Sequence, residues 1–149
     1  MLPIAFTLIH CVHSEDVQGR DLLEAGPLLW DVHGPRLGVT GKLPWGRGTP
    51  VEVAERLRIG DMDAWRVYQT AVFERTERAL AVADEALLDR QMFDGQRPDS
   101  LRGGFLGAYV NEGPIRRRNA LEAWVFQHGS RHLGELEHAR ALVGLGGLS

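Results

Sequence analysis

Two stretches rich in glycine and proline, residues 26–48 and 96–113, cut the chain into long runs, and none of these runs shows the alternating pattern of a strand. Pro3 to about Glu24 reads as a helix, because proline suits a first turn and few breakers follow until Gly26-Pro27. Thr49-Pro50-Val51-Glu52 marks a second helix start, with a capping threonine, proline at the first helical position and glutamate two residues on. Gly60 interrupts that helix. Asp61 then caps a longer segment to about Leu80, along which Met62, Trp65, Tyr68, Val72 and Phe73 recur at helical spacing. Asp84 to Gln91 reads as one or two short turns. Pro114 opens a last helix that runs to about Val143 and ends at Gly144, Gly146 and Gly147. The expected fold is all-α, a single domain over residues 1–149 with three substantial helices and one long crossover. The first connection is expected to be ordered, since Leu28, Leu29, Trp30, Leu37 and Val39 need burial.

Composition narrows the function classes. With 149 residues, 44% apolar and 25% charged, the chain can bury a core of its own. A net charge of −3 gives no basic footprint for nucleic acid or an anionic membrane. Cys11 is the only cysteine, which excludes an internal disulfide. The apolar run from Leu2 to Val12 has no basic residue before it and His13-Ser14-Glu15-Asp16 after it, unlike a secretory signal, and it is too short to span a bilayer. Leu8-Ile9-His10-Cys11 only loosely resembles a lipoprotein cleavage box, because histidine stands where a small residue belongs. A cytoplasmic protein acting on a small molecule is the expectation. Lys42 is the single lysine against sixteen arginines, which points to a GC-rich coding sequence rather than to a function.

The histidines carry the chemistry. His128 and His132 are four residues apart, which puts both imidazoles on one helix face, separated by about 6 Å along the axis. Such a pair suits one divalent metal, but also occurs without one. The helical wheel favours the metal: at roughly 100° per residue, Leu121, Trp124, Val125, Ala139 and Leu142 all fall within about 60° of His128. Both histidines then lie in the apolar stripe, together with Glu135. Buried polar groups need compensation, and a metal, a wet pocket or a hydrogen-bonded cluster would supply it. A bundle site draws ligands from several helices, and His10, on the nearly all-apolar first helix, is the best third ligand. His13 is the runner-up, with a boundary position the simpler reading. His33 and His138 read as ordinary. Three neutral histidines with one position open is the ligand count of a catalytic site.

These segments resemble the DinB-like (YfiT-like) superfamily of metal-binding four-helix bundles. Pro3 to Val17 is similar to the family's second helix, in which an apolar stretch ends in the first metal histidine and an acidic residue follows. His128-Gly129-Ser130-Arg131-His132-Leu133-Gly134-Glu135-Leu136 is similar to its closing helix, and Leu145-Gly146-Gly147 to its glycine-rich ending. Pro27-Leu28-Leu29-Trp30 and the connection after it resemble one subgroup. The resemblance implies zinc or nickel held by His10, His128 and His132. It also implies either a transferase or hydrolase working with a low-molecular-weight thiol such as mycothiol, or a metal-binding stress-response bundle without turnover. Glu135 is the candidate for a catalytic part, by holding a histidine or positioning water. Glu15 lies about 140° from His10 on the wheel and is not expected to be a ligand. His13 stands where arginine is common, and Cys11, unusual in the ligand helix, reads as a small apolar residue. Arg116-Arg117-Arg118 is read as a solvated edge in preference to an anion site. Family bundles carry a helix before the one holding the first histidine, so this chain is expected to lack it or carry it truncated. A homodimer is expected, with Trp30, Trp45 and Tyr109 as exposed interface aromatics.

Overall fold

The computed structural model describes residues 3–40, 49–93, 98–101, 104–110 and 112–145. These are mostly helical, and the described residues hold no strand, only isolated antiparallel bridges at Thr40–Arg58 and Gln91–Arg116. Three long elements dominate: α1 (Ile4–Leu23), α4 (Met62–Val82) and a continuous C-terminal helix. The last consists of α7 (Arg117–Leu121), a π-helical segment (Glu122–Gln127) and α8 (His128–Leu142). Between them lie α2 (Trp30–His33), a 3₁₀ turn (Gly34–Leu37), α3 (Val51–Arg56), α5 (Glu85–Leu88) and α6 (Phe105–Tyr109). No helix among the described residues is long and apolar enough to cross a membrane.

Most boundaries follow from local chemistry. The Asp61 carboxylate accepts from the backbone N–H groups of Asp63 and Ala64, both at 2.9 Å, and so caps α4. Asp84 caps α5 in the same way. In α3 the expectation is one residue early: Pro50, not Thr49, is the residue before the helix, and no side chain caps it. The last helix also starts later than expected, at Arg117. Residues before it are drawn into backbone pairing, with Met92 N–H donating to the Ile115 carbonyl and Arg117 N–H to the Arg90 carbonyl. Gly144, at φ 76°, follows its end as expected, whereas Gly146 and Gly147 lie outside the described residues.

Helix α1 is central, packing on α4 through one face and on the C-terminal helix through another. Towards α4, Phe6, Ile9 and Val12 meet Leu37, Ala54, Leu57, Trp65, Tyr68 and Val72. Towards α7, Leu22 meets Leu106, Ile115, Ala120 and Ala123. The described part of the first connection, residues 26–40, packs as expected: Leu37 is fully buried, and Leu29, Trp30 and Val39 pack on the first cluster. It crosses the start of α4 at Gly38 and Gly60, where a Cβ on Gly60 would lie 2.8 Å from the Gly38 carbonyl oxygen. Trp30 is therefore not an exposed interface aromatic. It is half-buried, edge-on to His13 and Tyr68. Trp45 lies outside the described residues, and Tyr109 is exposed, stacked on Phe105 at 5.7 Å.

Candidate metal centre

His10 sits in the second turn of α1, and His128 and His132 occupy the first two turns of α8, where the two helices pack together. The Nε2 atom of His128 is 3.1 Å from Nε2 of His10 and 3.1 Å from Nε2 of His132. One ligand atom from each of the three lies within 4.8 Å of the others. His132 is 2% exposed, and the other two are half-buried. Phe6 stacks on the His10 ring at 5.6 Å and limits its rotation.

Glu135 supports this cluster rather than entering it. Its Oε2 lies 2.7 Å from Nδ1 of His132. A carboxylate there accepts the proton on Nδ1 and leaves Nε2 with a lone pair aimed at the other two rings, the arrangement by which ligating histidines are commonly oriented. Burial lowers the proton affinity of His10, helped by His132 and Arg131, while Glu135 opposes it. Burial likewise pushes His128 down to about 3, with His132 and His10 adding to the effect. Both are thus held in the neutral form that metals require.

The donor set fits a tetrahedral divalent cation. Zinc–nitrogen bonds near 2.0–2.1 Å at tetrahedral angles place ligand atoms about 3.3 Å apart, close to the two spacings of 3.1 Å. Without a cation, the two contacts at His128 Nε2 cannot both be full hydrogen bonds between neutral rings, because that nitrogen carries either one proton or one lone pair. A metal satisfies all three lone pairs.

The cluster opens into a cleft of about 690 Å³ between α1, α6 and the C-terminal helix, so solvent and small molecules can reach it. Phe6, Trp124, Gln127 and Arg131 also line this cleft. Arg131, between the two histidines in sequence, was open to recognition there. So was Trp124, which the wheel sets on the histidine face, whereas Gln127, about 100° from His128 on that wheel, was not.

The remaining candidates are elsewhere. His13 is buried against Trp30, its pKa lowered to about 4 chiefly by burial, and does not join the cluster. Its expected boundary position is corrected, since α2 folds Trp30 over it. His33 lies near Tyr68, with ring centroids 5.9 Å apart, and His138 is exposed. Glu15 is turned to α4, where it bonds to Thr76. The Cys11 thiol is pushed up to about 11 by burial and by Glu15, which leaves little thiolate near neutrality. Arg116 and Arg118 pair with Asp89, and Arg117 with Glu24 at 2.9 Å, so neighbouring acids meet all three charges.

No family model, curated protein or solved structure matches this chain.

Proposed function

We propose that this protein is a divalent-metal-dependent enzyme of the DinB-like kind, using zinc or nickel and a low-molecular-weight thiol in an S-transfer or related hydrolytic reaction. The observation that carries the proposal is the convergence of three Nε2 atoms, from two helices, at the wall of an open cleft. A closed structural site would use four protein ligands, whereas three with an accessible face leave room for a reactant. His10, His128 and His132 hold the cation with their neutral imidazoles. Glu135 keeps the proton of His132 on Nδ1 and acts as a positioning residue through that ring. When bound, the metal supplies the positive charge that lowers the pKa of a thiol or water brought against it. Trp124 and Phe6 give the cleft an apolar wall beside the imidazoles. Cys11, with its raised pKa, is not the attacking thiol.

Elemental analysis of untagged protein tests the site. About one equivalent of metal is expected, and His10→Ala and His132→Ala each lose it; wild type that takes up no added metal refutes the site. A panel of thiols with a chromogenic conjugation substrate tests turnover. Activity that needs both metal and thiol supports the transferase, and none with any thiol leaves a metal-binding bundle without catalysis.

A further inference from the structure

The cleft has a chemical asymmetry that the metal centre does not use. Leu106 and Trp124 supply apolar lining, and Phe105 stands at it with 51% of its surface exposed. An exposed phenylalanine beside a concave apolar surface is a ready contact for a ligand. Arg131 is the only lysine or arginine among the described lining residues. Its side chain is 66% exposed, and its Nε lies 3.9 Å from Glu135 Oε1, too far for a hydrogen bond. Glu135 makes its close contact, 2.7 Å, with His132 instead. The guanidinium therefore keeps a planar fork of N–H donors for another acceptor, and carboxylates match that fork.

We infer that the cleft takes a small molecule with an apolar body and a carboxylate, the carboxylate on Arg131 and the body against Trp124 and Phe105. This names the substrate class of the proposed enzyme. It rests on that reading only for where the reacting end lies, next to the three imidazoles. Recognition by Arg131 and Trp124 belongs to the chain itself and does not require the metal.

The test titrates 4-phenylbutyrate and its primary amide, 4-phenylbutanamide, into the full chain by calorimetry, once after chelation and once loaded with zinc. The carboxylate is expected to bind about tenfold more tightly than the amide in both states. Arg131→Met, an exposed substitution, brings the two probes to within about twofold, Arg131→Lys keeps part of the preference, and Trp124→Ala weakens both probes alike. Equal binding of acid and amide, a preference that survives in Arg131→Met, or no saturable binding of either probe overturns the inference. A preference that depends on Arg131 in protein unable to bind zinc would sink the metal reading and leave this one standing. Zinc binding with no such preference would do the reverse.

Discussion

Asp16 shows how much one side chain can organise. Fully buried, it accepts the backbone N–H of Leu29 at 3.1 Å and of Trp30 at 2.8 Å, together with the Tyr68 hydroxyl at 3.0 Å. The Arg75 guanidinium pairs with its Oδ1 at 2.7 Å and donates to the Asp16 and Pro27 carbonyls. One carboxylate thereby ties the first connection to both α1 and α4. The proximity of Asp16 also helps burial to raise the Tyr68 pKa far above its ordinary value. Asp16→Ala leaves Arg75 buried without its counter-charge, and a loss of about 3–5 kcal/mol is expected in urea unfolding. Adding Arg75→Met should recover a large part of it, because replacing both members costs less than orphaning one. Nothing in the acidic run Glu15-Asp16 marks the second residue as buried, so this network was not legible in sequence.

His13 makes a pH prediction at the same scale. Burial holds its folded pKa near 4, below the 6.5 of an exposed imidazole. The unfolded chain therefore binds a proton that the folded one refuses, and the contribution of His13, complete above pH 6.5, declines as pH falls through that window. Between pH 6.5 and about pH 5 the wild type should lose about 2 kcal/mol more than His13→Gln, measured by urea unfolding at each pH. Equal losses would show that His13 titrates normally.

Among the elements, the π segment Glu122–Gln127 decides the register of the metal centre. Hydrogen bonds from i to i+5 accommodate one more residue than an α-helical turn, and such segments are frequent at functional sites. A side-chain bond spans it at the same interval, from Gln127 Nε2 to Glu122 Oε1 at 3.0 Å. After the segment the uninterrupted 100° wheel holds at Ala139, which is buried, and fails at Leu142, which is 62% exposed near the helix end. At and just before the segment it missed the most buried positions: Ala120, ahead of it, and Ala123, within it, are buried, while Leu121 and Trp124 are only partly covered. Deleting Phe126, which is 62% exposed, should restore α-helical pairing. With α7 anchored in its cluster, α8 would turn by about 100° and carry His128 and His132 away from His10. Helical content by circular dichroism is expected to hold while metal affinity is lost. Affinity at the wild-type level would show that the π segment does not aim these histidines.

At the scale of the molecule, a bound metal would join α1 to α8, two helices whose histidines lie 118 positions apart in the chain. A ligand that binds only the folded state raises stability in proportion to the logarithm of its occupancy, about 2.7 kcal/mol at a hundredfold excess over Kd. Zinc or nickel should therefore raise the melting temperature, chelation should reverse the rise, and His10→Ala should show none. Glu135→Gln, which weakens the hold on His132, should need about ten to a hundred times more metal for the same shift. A melting temperature indifferent to metal would argue against a bridge between the helices.

The division between sequence and tertiary structure follows from the range of the interactions. The all-α class, the spans of α1 and α4, the cap at Asp61 and the pairing of His128 with His132 come from contacts within a few residues, and the sequence alone determined them. His10 was legible as a third member because a histidine in a nearly all-apolar helix needs a partner wherever that helix packs. Other features depend on what lies opposite in space: the burial of His13 beneath Trp30, the Asp16–Arg75 network, the π-shifted register, and the cleft that gathers Arg131 with Trp124. Those were decided when α1 packed between α4 and the C-terminal helix, because burial and register are properties of the pair in contact and not of either segment alone.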